Sequence, residues 1–382
     1  MASLALPSSR EEAWRWSDLS ALPALAEARP SGAIPAPDVL WIGDGPRLLF
    51  VDGVYDPSRS NPGPVEIGPA DARAARHPLG RLAGTRGWRL RIGAEHMPSG
   101  TIEIVHLGSG GASHLAAEIE IGEDAQASIV ESFAGAGWAN RATGITLARS
   151  GRLMLMRRIL GAAGGFTSLA DTAEIGTGAS LIATTLAAGA GDSRIDAHLT
   201  LAGEEAFAEA GGALLARGQQ RHDAALVLRH AEPHGQSRQV WRAVADDQAT
   251  ASVAARVEVA RDAQKTDAEQ SLRGVLLQRT ATINAKPELE IFADDVKCAH
   301  GCAVGELDRG ALFYLNSRGI PPAPARALLT RAFVADALAR IGEEAVREVF
   351  VADADNWLSN SPFVSSEVET RPSTSLGTNG RD

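Results

Sequence analysis

The sequence predicts a mainly β protein: a central solenoid of stacked short-strand coils with helical regions at both ends. Three observations carry this. Strand-like pieces follow one another between positions 88 and 296 with no long helical run between them. Gly122, Gly151, Gly176 and Gly203 open turn-like words and are spaced by 29, 25 and 27 residues, the size of one coil. After Gly319 the pattern turns helical. A β-sandwich built from the same short strands is the structural rival.

Taken in order, residues 1–87 read as a mixed helical cap. A helix is expected over 11–28, with Ser8 or Ser9 as N-cap and Leu19, Leu22 and Leu25 on one stripe, broken by Pro30, Pro35 and Pro37. Positions 40–42 and 48–51 are short strand-like runs around an Asp44-Gly45 turn. Residues 88–297 form the expected solenoid. Its strand-like pieces are 101–107, 118–121, 127–131, 153–159, 180–186, 195–201, 225–228, 252–259 and 282–284. Each such coil cannot bury its apolar edge alone, so stacking has to supply the core. Residues 298–360 read as a C-terminal helical region. Asp308 caps a first helix that stops at Gly319. Pro324 opens a second, with Leu329, Phe333, Ala337 and Ile341 at i, i+4 spacing, widened by Val334 and Leu338. The Ser/Thr/Gly-rich tail, 361–382, is expected to be disordered.

Composition narrows the function. Hydrophobic residues make up 45% but aromatics only 5%, so the core must be built of Ala, Val, Leu and Ile. A net charge of −10 argues against nucleic acid or an anionic membrane as the main partner, and no apolar run reaches 18 residues. The chain start lacks the features of a secretion signal. With two closely spaced cysteines, this points to a reducing, cytoplasmic setting.

The stretch 287–320 concentrates the chemistry. It holds both cysteines, Cys298 and Cys302, with His300 midway between them. On an extended strand all three side chains share one face, a soft ligand set suited to iron–sulfur species, zinc or copper(I). The same residues also fit a packed core, since buried cysteine behaves as a small hydrophobe and three ligands fall short of a closed zinc site. Other motifs offer less. Pro233 prevents an ordinary helix through His230 and His234, so these, with His222 and Asp223, are expected to be hydrogen-bonded solenoid residues. Gly108-Ser-Gly-Gly111 lacks the Lys-Ser/Thr of a phosphate loop, so no nucleotide site is expected in the chain. Asp246-Asp247 and Asp294-Asp295 point to opposite faces and make poor acid/base pairs. Trp14, Trp16 and Asp18 form either a recognition surface or one side of a helix capping the solenoid.

PELEIFADDVKCAHG, followed by AVGELD and LFYLNSRGI, closely resembles the C-terminal signature of the SufB/SufD family of iron–sulfur cluster assembly proteins. AQKTDAEQSLRGVLL at 263–277 agrees. The run SREEAWRWSDL at 9–19 is similar to the one that opens the SufD-type members. The resemblance implies a right-handed parallel β-helix and a scaffold subunit, not an enzyme. Such a subunit pairs with a SufB-like partner and binds a SufC-like ABC ATPase, whose ATP-driven motion exposes ligands buried at the subunit interface. Residue by residue, His300 falls on the functionally required histidine and Cys298 on the cysteine two before it. Both would serve a transient iron–sulfur cluster or iron at that interface. Cys302 departs from the pattern, where a small residue is usual; it either adds a thiol or is incidental. The C-terminal helices of this class bind the ATPase, which makes Leu329, Phe333 and Leu338 the expected docking stripe. A homodimer of the isolated chain is a further expectation. The rivals are a SufB-like paralogue, which would carry more cysteines in the core, and a polysaccharide-active β-helix enzyme. The latter needs a cluster of carboxylates with a Lys or Arg base on one face. A purely structural solenoid is the remaining alternative.

Overall fold

The structure, a computed structural model, describes residues 5–74 and 76–359. Its centre is a parallel β-solenoid of about eight turns. The strands are β1 (Arg47–Val51), β2 (Val54–Tyr55), β3 (Val65–Pro69), β4 (Arg86–Ile92), β5 (Ile102–Ile121), β6 (Gln126–Leu147), β7 (Arg152–Gly161), β8 (Phe166–Ile175) and β9 (Ser180–Ala187). They continue as β10 (Asp192–Leu201), β11 (Phe207–Ala216), β12 (Arg221–His230), β13 (Gln236–Ala245), β14 (Thr250–Val259), β15 (Asp267–Leu276), β16 (Thr282–Ile291) and β17 (Lys297–Gly305).

These strands make two parallel ladders. The long strands β5 and β6 each run through both: Gln126–Gly135 of β6 pairs with β7, and Trp138–Leu147 pairs with β8. From there one ladder proceeds through β7, β9, β11, β13, β15 and β17. The other proceeds through β8, β10, β12, β14 and β16. The side-chain period of two sends alternate residues of each strand into the lumen. In β14 these are Ala251, Val253, Ala255, Val257 and Val259, all buried.

The corners leading into the first ladder explain the glycine repeat. All but the one before β17 hold one residue with positive φ: Asp124, Ser150, Gly178, Glu205, His234 and Lys265. A left-handed non-glycine residue costs roughly 1–2 kcal/mol. Each of these is held by an N–H donated to the next coil: Asp124 to the Arg149 carbonyl (3.0 Å), Ser150 to Thr177 (2.9 Å), Gly178 to Glu204 (2.8 Å) and His234 to Gln264 (2.9 Å). A net hydrogen bond contributes about 0.5–1.5 kcal/mol, so the stacked turns offset their own strain.

The lumen is not wholly apolar. Glu131, Arg157, Asp171, Arg141 and His106 form a buried charged cluster. Arg157 Nε meets Glu131 Oε2 at 2.8 Å, and its Nη2 meets Asp171 Oδ1 at 3.1 Å. His106 is stacked between Phe50 and Phe133, with centroids 5.2 and 4.8 Å away. Burial first, and then the Arg141 charge, push its pKa down to about 4.

Several expectations need correcting. The N-terminal segment is not one helix over 11–28. It is a short 3-10 turn at Glu12–Trp14 followed by α1 (Leu22–Glu27), which Pro23 restarts after an Asp18–Ser20 turn. Nor does it cap the end of the solenoid: Trp14 and Leu22 pack beside Leu79, Trp138 and Phe166 on its flank. Positions 40–42 are not a strand. The hairpin is β1–β2, turning at Asp52 and Gly53, both with positive φ. Residues before 88 contribute strands as well, since β1 pairs with β5 and β3 with β4.

Past β17 come α2 (Arg309–Ser317), α3 (Pro322–Leu338) and α4 (Glu344–Ser359). Asp308 caps α2, accepting from Gly310 N at 2.7 Å. α3 and α4 cover the outer face of the first ladder. Val334, Leu338, Ile341, Phe350 and Trp357 bury Val130, Met156, Leu186, Leu215 and Val244. Much of that ladder is therefore buried on both faces. The expected disordered tail, 361–382, lies outside the described residues. None of the described helices is long and apolar enough to cross a membrane.

Candidate functional site

Among the described residues nothing lids the last coil of the solenoid: β16 pairs only with β14 in its ladder, and β17 only with β15, so both last strands present free edges. Exposed large hydrophobics lie on or beside these two strands: Ile291, Phe292 (60%) and Val304; Phe313 (75%) and Tyr314 are exposed on the helix that follows.

Register fixes where the Cys/His triplet points. Cys298, His300 and Cys302 stand over Ala268, Gln270 and Leu272, all buried lumen residues. The triplet thus lines the lumen face of the last coil, at its open mouth. Cys302 Sγ approaches the Ala285 carbonyl of β16 at 3.8 Å, across that mouth. Cys298 is half-buried against the cluster that holds Val257, Val259 and Ala293, and burial raises its thiol pKa. It stays protonated at neutral pH. Consecutive members of the triplet are about 6.6 Å apart along the strand. Among the described residues no three His, Cys, Asp or Glu side chains converge as a metal cage. The three side chains stand in a row along one strand rather than converging on a point.

The remaining candidates resolve as structure. His222 Nδ1 meets Ser193 Oγ and His230 Nε2 meets Ser237 Oγ, each at 2.8 Å. His234 sits at a corner, as above. The Gly108–Gly111 run is the bend between the two halves of β5. The backbone N–H of Ser109 and its hydroxyl donate to the Asp52 carboxylate at 2.8 and 2.7 Å, and a Cβ on Gly108 would lie 2.1 Å from the Ala136 carbonyl. The docking stripe divides. Leu329 and Phe333 are half-buried on α3, but Leu338 is core.

One feature escaped the sequence reading. The N-terminal turn overhangs the outer face of β10, β12 and β14, making a groove of about 770 Å³ lined by Trp16, Arg73, Arg194 and Lys286. Residues 12–16 and 194–286 meet only through the fold, so no local pattern announces it. Of its acids, Asp196 pairs with Arg194 at 2.6 Å and Glu288 with Lys286 at 3.0 Å, while Asp223 Oδ1 is buried without a hydrogen-bond partner.

The chain is thus a parallel β-solenoid whose last coil carries two thiols and an imidazole on its lumen face. Comparison with known proteins makes this specific. Residues 105–333 match the SufBD core domain of the SUF system for FeS cluster assembly, and the chain belongs to that family, whose members are scaffold subunits. It is 25% identical to the iron-sulfur cluster assembly protein SufD of Escherichia coli over 380 residues, 91% of this chain and 88% of that one. A SufBD family protein of Synechocystis is 40% identical over 124 residues, 32% of this chain and 27% of the relative. One from Mycobacterium tuberculosis is 32% identical over 197 residues, half of each chain.

Proposed function

We propose that this chain is the SufD-type, non-enzymatic scaffold subunit of a cytoplasmic SufB–SufC–SufD-type complex. Its open end pairs with a SufB-like subunit, and its C-terminal helices bind a SufC-like ABC ATPase. Cys298 and His300, with Cys302 beside them, lend ligands to incoming iron or a nascent cluster, which is cargo. The observation that carries this is the placement of the triplet on the lumen face of an unlidded last coil. A partner covering that mouth supplies the missing ligands and keeps thiol and imidazole from oxidation. The free edges of β16 and β17, with Phe292, Val304 and Phe313 around them, suit such a partner. In isolation they suit a second copy of this chain.

The SufD-type assignment over a SufB-like paralogue rests on the Trp-Arg-Trp opening and on the lack of any cysteine before 298. The test is co-expression with SufB-like and SufC-like partners, followed by iron and sulfide assay of the purified complex. Stable association with iron and sulfide retained is expected. A chain that binds neither partner, or a complex whose cluster content ignores His300→Ala, overturns the proposal.

A further inference from the structure

Beneath His300 lies a buried stack of two amides. Gln239 and Gln270 are lumen residues of successive coils, 0% and 1% exposed. Gln270 Nε2 donates to Gln239 Oε1 at 2.6 Å and to the Ala255 carbonyl at 2.9 Å, and Gln239 Nε2 reaches the Arg256 carbonyl at 3.4 Å. Backbone carbonyls only accept, so both NH2 groups must face them, and the amide orientations are settled. One acceptor is left over. Gln270 Oε1 is buried without a partner. Leaving it so costs about 1–3 kcal/mol. The next residue along the same lumen row is His300, the register partner of Gln270 one strand away, about 4.8 Å. His300 is exposed in the open mouth and its ring is not bonded to that oxygen in this form.

We infer that Gln270 is the positioning residue for His300: when the mouth is closed, Gln270 Oε1 accepts the imidazole N–H. The other ring nitrogen then faces the mouth, unprotonated, as the ligand atom. This rests on the reading of His300 as a ligand. It adds the reason why one ring nitrogen and one ring orientation are selected. Water satisfies the ring while the mouth is open. Closure removes that water and leaves Gln270 Oε1 as the nearby acceptor. Orienting acceptors of this kind typically raise metal affinity 10–100-fold. Gln239 holds the Gln270 amide against rotation.

The test is ferrous iron affinity of the assembled complex, measured anaerobically against a competing chelator, for Gln270→Leu, Gln270→Glu, His300→Ala and the Gln270→Leu/His300→Ala double variant. Gln270→Leu should weaken iron about 10–100-fold. Gln270→Glu, which as the buried protonated acid keeps an O–H donor toward Gln239 Oε1 and a carbonyl acceptor toward the mouth, should bind at least as tightly as the parent. In the His300→Ala background Gln270→Leu should change nothing further, because its effect passes through the imidazole. Additive losses in the double variant, or weakening by Gln270→Glu as large as by Gln270→Leu, return Gln270 to a packing role and overturn the inference. If Gln270→Leu does not assemble, the Gln270→Glu result decides alone: equal or tighter binding supports the inference and weaker binding overturns it. Unchanged iron affinity in His300→Ala instead removes the ligand reading itself, a different outcome from an inert Gln270→Leu beside a damaging His300→Ala.

Discussion

Arg158 on β7 forks onto Asp353 of α4, Nε to Oδ2 at 2.6 Å and Nη2 to Oδ1 at 3.1 Å. The same guanidinium donates to the Leu40 carbonyl at 3.1 Å. One buried cation therefore ties the solenoid, the C-terminal helices and the N-terminal segment together. Truncating the acid strands that charge. Asp353→Ala should cost about 3 kcal/mol, and Arg158→Met in the same chain should restore most of it. Urea unfolding of the parent and the two variants reads this. A double variant no more stable than Asp353→Ala would mean that the fork is not the source of the loss.

Three imidazoles are held neutral in the core. The pKa values of His106, His222 and His230 are each pushed down to about 4, by burial first. In the unfolded chain they titrate near ~6.5. Their stability contribution is therefore complete above about pH 6.5 and is lost as pH falls toward 4, because the unfolded state binds more protons in that window. The Glu131 carboxylate, 0% exposed, is held well below the usual range by Arg157, His106 and Arg141 against the opposing effect of burial, so it adds further loss at lower pH. Unfolding at pH 5.5 should take up between about two and three protons on these imidazoles, against about none at pH 8. Calorimetry in buffers of different ionisation enthalpy measures this. His222→Asn should remove about one of them. Equal uptake at both pH values would show that the rings are already charged in the fold.

On α3 the two halves of the apolar stripe should behave differently. Phe333 lies under Arg242, with the guanidinium carbon 5.8 Å from the ring centroid, and is half-buried. Phe333→Asp should leave the chain folded, with Arg242 beside the new carboxylate, and weaken SufC-like ATPase binding by ~2 kcal/mol, the scale of an interface anchor. Leu338→Ala should instead lower fold stability by about 2–5 kcal/mol, as a core cavity does. Thermal unfolding paired with a binding titration separates them. Intact folding and intact binding in Phe333→Asp would remove Phe333 from the docking face.

The solenoid was legible because its turns repeat in chemistry as well as length. A left-handed residue recurs at all but the last of the corners into the first ladder, and Gly, Asp, Ser and Glu mark it. The strands that went unread include β3, β4, β8, β11, β13 and β15. β11 reads FAEAGGALLA, without alternation, because α3 and α4 bury its outer face while the lumen buries the other. β15 reads DAEQSLRGVL, where Gln270 takes a lumen position that a hydrophobe would have announced. The shared face of Cys298, His300 and Cys302 followed from strand spacing alone. That this face is the lumen, and that the lumen is open there, depends on which coil is last, and no local pattern carries that. The expected 11–28 helix failed because Trp14 is drawn into a cluster with Trp138 and Phe166, contacts more than a hundred residues away.

The triplet itself gives the sharpest separation of chemistry from packing. Cys298 packs against the cluster that holds Val257, Val259 and Ala293, so Cys298→Ala removes a small apolar volume as well as a thiol. A modest loss of stability is expected along with loss of cluster. His300 and Cys302 are exposed at the mouth, so neither removal should open a cavity or move the unfolding midpoint of the isolated chain. His300→Ala and His300→Gln should nonetheless abolish cluster maturation in the complex, because a ligand role responds to the imidazole and not to volume. Cys302 lies one pleat further on, its Sγ turned toward the Ala285 carbonyl 3.8 Å away. Cys302→Ala should retain more cluster than either other variant. The measurement is anaerobic reconstitution of the complex with ferrous iron and sulfide, with cluster yield scored against thermal stability for all four variants. Yields that track stability across the series would place the triplet in the packing of the last coil. Full yield from His300→Ala would take the imidazole out of the site altogether.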